Sequence, residues 1–139
     1  MEKPVEELRF GKHVLQYFGQ KIFVIAYDGD VNEAEAKTLM DFINARDKDP
    51  VVGFYVTEMS KMGKFTPEAR KVIGSSNNQS LKDLYLCMVN ASVVTRAALM
   101  LVLTAARLTS STNTHMKSFN NVEDALNYCR ATAKEKGVA

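Results

Sequence analysis

The sequence predicts one α/β domain, built on a mixed, mostly parallel sheet of about five strands with four helices and an antiparallel hairpin at the N-terminal edge. Three observations predict it. Short apolar runs alternate with segments whose apolar residues recur every three or four positions, which is the pattern of strand–helix–strand units. A Gly19-Gln20 turn joins the first two strand-like runs, as a hairpin requires. The chain has 139 residues and is 46% hydrophobic, enough to bury a core without a metal or a disulfide.

The elements follow in order. Residues 1–12 are polar and charged and are expected to be a lead-in, with the domain spanning 13–135. Residues 13–18 alternate and are rich in strand formers. Residues 21–27 are apolar on both faces, as in a central strand. Asp28-Gly29-Asp30 is expected to break that strand. Asn32 then caps a helix, and Glu35 three residues later completes a capping box. Ala36, Leu39, Met40 and Ile43 form its buried stripe. The helix stops before Pro50, because the residue preceding proline avoids helical geometry.

Residues 51–57 form the next strand. Thr66 and Pro67 start a second helix, with threonine as cap and proline in the first turn, where a missing N–H is harmless. Ala69, Val72, Ile73 and Ser76 face inward. Residues 84–89 form a strand. Ser92 caps a long helix over 93–108, residues 115–119 form a short strand, and Asn121 caps a last helix that buries Val122, Ala125, Leu126 and Cys129.

Composition narrows the function. The 18 Lys+Arg nearly cancel the 16 Asp+Glu, leaving a net charge of +2, so no nucleic-acid partner is expected. No run is apolar enough to span a bilayer, and the charged start lacks a secretory pattern, so a soluble cytoplasmic protein is expected. With two His and two Cys, neither a metal nor a cofactor is expected. Cys87 lies in an apolar run, where a thiol acts as a small hydrophobe, and Cys129 in a helical pattern; a disulfide between them stays open as an alternative.

Several stretches then acquire a family likeness. The run 25–36, Ile-Ala-Tyr-Asp-Gly-Asp-Val-Asn-Glu-Ala-Glu-Ala, is a strand leading into a turn and helix. With Val51-Val52-Gly53-Phe54-Tyr55-Val56-Thr57 it resembles the STAS family, the sulfate-transporter and anti-sigma-factor-antagonist domains. Phe65-Thr66-Pro67-Glu68-Ala69-Arg70, Val93-Val94-Thr95-Arg96-Ala97-Ala98, Ala105-Ala106-Arg107-Leu108 and the 119–126 stretch look most like small bacterial proteins described as STAS or Sec14-like. The resemblance covers roughly residues 13–132 and lies in the order of these segments more than in any one of them.

That resemblance implies a SpoIIAA-like domain without catalysis, used for protein–protein signalling or ligand sensing. In antagonist members a serine at the start of the helix after the third strand is phosphorylated. Here the region reads Thr57-Glu58-Met59-Ser60-Lys61-Met62-Gly63-Lys64-Phe65-Thr66-Pro67 and lacks the Asp-Ser-Ser-Gly-like motif. Thr66 takes the helix-start position and Ser60 the preceding loop, which makes these two the candidate phospho-acceptors.

Two candidate surfaces come from the residues themselves. The first spans residues 60–71. A helix start leaves free N–H groups and partial positive charge, and Lys61, Lys64, Arg70 and Lys71 add to that field around Thr66, with Glu68 partly offsetting it. An anion or a protein partner fits there; so does the plain alternative that Thr66 merely caps a solvated basic segment. The second is the 93–108 helix, whose centre, 97–103, is apolar on every side. A helix packed on a sheet needs only a ~100° stripe, and the surplus calls for an additional partner. A homodimer interface through Arg96, Leu99, Met100, Leu101, Leu103 and Arg107 relieves it, as does complete burial within the chain or an apolar ligand.

The other chemistry-bearing residues have ordinary explanations. Asp28 and Asp30 flank a glycine turn. Met59, Met62 and Met100 suit pliable packing. His13 and His115 stand at strand starts far apart, and no nucleophile elbow, phosphate loop or zinc motif is present. The expected function is therefore a non-catalytic regulatory or scaffold protein that self-associates and binds an unknown protein partner. The alternative is a Sec14-like carrier or sensor of an apolar or anionic lipid-like ligand, held between the sheet and the helices starting at Thr66 and Ser92, with peripheral membrane contact.

Overall fold

The computed structural model describes residues 2–46, 51–75, 82–97, 101 and 112–138. Their strands and helices are β1 (Glu6–Phe10), β2 (His13–Tyr17), β3 (Ile22–Val31), α1 (Glu33–Arg46), β4 (Val52–Phe65), α2 (Pro67–Ser75), β5 (Asp83–Val89), β6 (Asn113–Phe119) and α3 (Val122–Glu135). Residues 93–97 are also helical. The six strands form one sheet in the order of the chain. β1, β2 and β3 pair antiparallel, and β3 to β6 run parallel.

The class, the mixed sheet and the N-terminal hairpin are as expected, but the sheet has six strands rather than about five. The extra strand is β1, which falls within the stretch expected to be a lead-in. Glu6, Glu7 and Arg9 hide the alternation of Leu8 and Phe10, yet Phe10 is buried against the sheet. Gly11, at φ +62, makes the tight return that pairs Phe10 with His13. Charges on the outer strand suit an edge that must not pair with other chains. The expected edge strand, β2, is therefore an inner one.

Two strands are longer than expected. Asp28-Gly29-Asp30 does not end β3. It lies inside it as an irregularity, with register shifts on both sides and Gly29 at φ +86. β4 runs on alongside it from Val52 to Phe65 instead of stopping at Thr57. Parallel pairing of Glu58, Lys61, Met62 and Phe65 with β3 carries the strand through this stretch despite its polar composition.

The helices sort by connection. Successive right-handed crossovers between adjacent parallel strands place their helices on one face. There α1 buries Ala36, Leu39 and Ile43, and α2 buries Ala69, against Phe23, Ile25, Tyr27 and Val31. α3 follows the last strand and covers the opposite face, packing Ala125, Leu126, Cys129 and Ala133 on Ile22, Val24, Phe54, Val56, Cys87 and Val89. Each large side chain buried this way contributes about 1.5–3 kcal/mol. Ser76, expected in the α2 stripe, lies outside the described residues.

Candidate functional site

The parallel strands end at one rim of the sheet, where α/β folds most often bind ligands. β3, β4, β5 and the start of α2 meet there. The Thr66 N–H donates to the Val31 carbonyl at 3.0 Å, which ties the exit of β4 to the end of β3. The Thr66 hydroxyl accepts the Ala69 N–H at 3.1 Å, so it caps α2 as its position predicts. Arg70 and Lys71 are exposed on the first two turns of that helix.

Ser60, Lys61 and Lys64 were expected in a loop before α2. They lie instead on the extension of β4, all exposed. Lys61 stands opposite Asp28 in the ladder. The backbone N–H of Lys64 donates to Asp30 Oδ1 at 2.7 Å. Gly63 makes this contact fit. A Cβ at Gly63 would come within 2.3 Å of Asp30 Oδ1 and 2.6 Å of the Gly29 carbonyl carbon. Asp30 thus has a structural role, accepting from β4, while Asp28 stands across the ladder from Lys61.

Glu58 sits on the same rim and was not singled out by sequence. Its carboxylate accepts the Ser60 N–H at 2.7 Å and the Asn90 side-chain amide at 2.8 Å. Burial pushes its pKa up, but the Ser60 and Asn90 hydrogen bonds outweigh that, and the net shift is downward. Asn90 stands at the end of β5 with φ +56, a conformation asparagine tolerates better than most residues. Glu58, midway along β4, therefore ties that strand to the end of β5 as a stable anion beside Ser60. Only a contact between residues 32 apart reveals it.

The histidines do not meet. His13 is buried on β2 between Phe10 and Tyr27, with Glu35 Oε2 3.5 Å from its Nε2. His115 stacks on Tyr85 on the far edge strand, with Nε2 3.1 Å from Asp83 Oδ1. Four strand spacings, about 19 Å, separate β2 from β6. Among the described residues no three His, Cys, Asp or Glu side chains gather as metal ligands. Met59 is buried and Met62 packs against the α1 core, while Met100 lies outside the described residues.

The helix after β5 begins as expected. Ser92 Oγ accepts the Thr95 N–H at 3.0 Å. Val93, Val94 and Leu101 are 72%, 79% and 74% exposed, and Arg96 is exposed as well. Leu99, Met100, Leu103 and Arg107 lie outside the described residues. Much of the second helix that would wall the expected ligand pocket does too. Among the described residues no helix is long and apolar enough to cross a membrane.

A third polar cluster joins the chain's two ends. The Arg130 guanidinium on α3 grips both carboxylate oxygens of Glu2, at 3.0 and 2.6 Å, and donates to the Phe18 carbonyl and the Gln20 side chain. The contacts draw down the Glu2 pKa, with the Arg130 hydrogen bond as the largest cause. No local pattern could reveal a pairing across 128 positions.

No family model and no curated protein sequence matches the chain. Among solved structures it is similar to an uncharacterised protein of the DUF3478 family, with a SpoIIAA-like fold, from Shewanella loihica PV-4. The TM-score is 0.55 at 10% sequence identity, over 92% of this chain and 98% of that one. At that identity the likeness concerns fold alone. The fold is SpoIIAA-like, which agrees with the STAS resemblance read from the sequence.

Proposed function

We propose that the chain is a non-catalytic regulatory or scaffold protein. It acts by protein–protein contact and pairs with a second copy of itself through the helix that begins at Ser92. The observation that carries this reading is the exposure of Val93, Val94 and Leu101, at 72%, 79% and 74%. Val94 and Leu101 are seven residues apart, the spacing of one stripe on the helix that the sequence predicts over 93–108. The 97–103 run supplies further apolar side chains in the same stretch. Covering each such side chain contributes about 1.5–3 kcal/mol, and the same surface on a second copy is the simplest cover. Arg96 and Arg107 flank the run.

A binding role is also favoured by how the polar groups are used. His13 is occupied in the core, and Asp30 and Glu58 accept hydrogen bonds that hold strand ends together. Exposed at the rim are the cations Lys61, Lys64, Arg70 and Lys71 around the capped start of α2, with Asp28 and Glu68 exposed beside them and partly offsetting their charge. This is the surface offered to a partner or an anion.

Of the two candidate phospho-acceptors, Thr66 is the better placed. Phosphate there meets a helix N-terminus and neighbouring cations, which favour it. Phosphate on Ser60 meets the Glu58 carboxylate, which repels it. Light scattering of Leu101→Glu beside the parent protein tests the self-association: a drop from dimer to monomer mass supports it, and equal masses in the two would sink it.

A further inference from the structure

We propose that Cys87 and Cys129 are a redox-active dithiol site, which an oxidant of the peroxide class converts to an internal disulfide that staples α3 to β5. Both cysteines are free and both are fully buried. Their sulfurs are 3.7 Å apart and in direct contact, although the residues are 42 positions apart in the chain. Cys87 lies near the middle of β5, paired with Val56 on one side and Lys117 on the other. Cys129 lies on the inner face of α3. The two sulfurs therefore sit across a helix–sheet interface, and an approach of about 1.7 Å brings them to bonding distance.

The resting pair is protected. The hydrogen bond to Cys87 and burial both push the Cys129 thiol well above its ordinary range, so little thiolate exists while α3 is seated. Reaction is gated by α3 lifting from the sheet, which uncovers both sulfurs at once because one belongs to each side. The Arg130 grip on Glu2, Phe18 and Gln20 holds that helix down.

The chemistry balances with hydrogen peroxide. One thiolate attacks a peroxide oxygen, the O–O bond breaks, and a sulfenic acid forms while the departing hydroxide takes a proton to become water. The second thiol then displaces the sulfenic hydroxyl as water and the S–S bond forms. Two thiols lose two electrons and two protons, and the peroxide is reduced to two waters. The product closes a long loop, which restrains the unfolded chain and raises the melting temperature, by roughly 10–15 °C on the loop-entropy model.

The test is intact-mass spectrometry of the folded protein after hydrogen peroxide, with free thiols alkylated in denaturant. The expected result is loss of two hydrogens, no alkylation, one crosslinked peptide pair containing Cys87 and Cys129, reversal by dithiothreitol, and a higher melting temperature for the oxidised form. Glu2→Ala, which loosens the α3 grip, should oxidise several-fold faster. Two alkylated thiols after oxidation, sulfinic or sulfonic acid at either cysteine, or a disulfide between chains would each overturn the proposal.

Discussion

His13 Nδ1 accepts the backbone N–H of Asp28 at 2.9 Å, so the ring carries its proton on Nε2. That proton points to the Asp30 carbonyl, 3.1 Å away. One buried ring on β2 thus satisfies two backbone groups freed by the irregularity in β3. Glu35, whose carboxylate lies beside the same ring, closes the capping box with Asn32, three residues earlier in the chain. The ring links the hairpin, the bulged end of β3 and the start of α1.

Replacing His13 should therefore be severe. His13→Ala strands the Asp28 N–H and the Asp30 carbonyl and leaves a hole between Phe10 and Tyr27. A loss of about 2–4 kcal/mol is expected in urea unfolding. A loss under about 0.5 kcal/mol would show that the ring is not the tie described here.

Two glycines on the rim should respond for different reasons. Gly63→Ala sets a methyl group against the backbone of Gly29 and Asp30, and this backbone cannot turn aside as a flexible side chain could. A loss of about 2 kcal/mol or more is expected. Gly29→Ala meets no atom within 4 Å but sits at φ +86, so only its backbone strain, about 1–2 kcal/mol, should register. Equal and negligible losses at both sites would contradict the described β3–β4 packing.

Glu58 sets an acid dependence. Its folded pKa lies below its ordinary value of 4.5, so its contribution is complete above that value and is lost as pH falls through the lower folded one. Glu58→Gln should shrink the stability difference between neutral pH and a pH below the ordinary value, compared with the parent. Asn90→Ala should shrink it too, because the amide donor is one cause of the shift. Unchanged acid sensitivity in both variants would show that Glu58 is not held as an anion by these partners.

Thr66 serves as both cap and candidate acceptor. Thr66→Ala should cost about 1 kcal/mol, while Thr66→Ser retains the hydroxyl and most of the stability. Incubation with cell extract and nucleotide, followed by peptide mass mapping, should place phosphate on Thr66 in preference to Ser60. Phosphate on Ser60 alone would reverse the electrostatic ranking.

The capped helices were legible because their signals are local. Asn32 with Glu35, Thr66 with Pro67, Ser92 and Asn121 each announce a helix within four residues, and each acts as a cap in the structure. The buried stripes of α1 and α3 follow from spacing alone. β1 was hidden because three charges interrupt its two apolar positions and only pairing with β2 makes it a strand. Asp28-Gly29-Asp30 looks like a breaker in isolation, and the parallel pairing with β4 overrides that preference. At the rim, the cations and the Thr66 cap could be read in advance. The Glu58–Asn90 bridge, the Arg130 grip and the contact of the two cysteines join residues 32, 128 and 42 positions apart, and no short-range pattern encodes such pairings.

The proposed pairing of two copies rests on the helix beginning at Ser92. Its most direct test is the molar mass of the unaltered protein by light scattering across a dilution series through micromolar concentrations. The expected mass is twice 15.5 kDa, falling toward the single-chain value only on dilution. A single-chain mass at every concentration would contradict it.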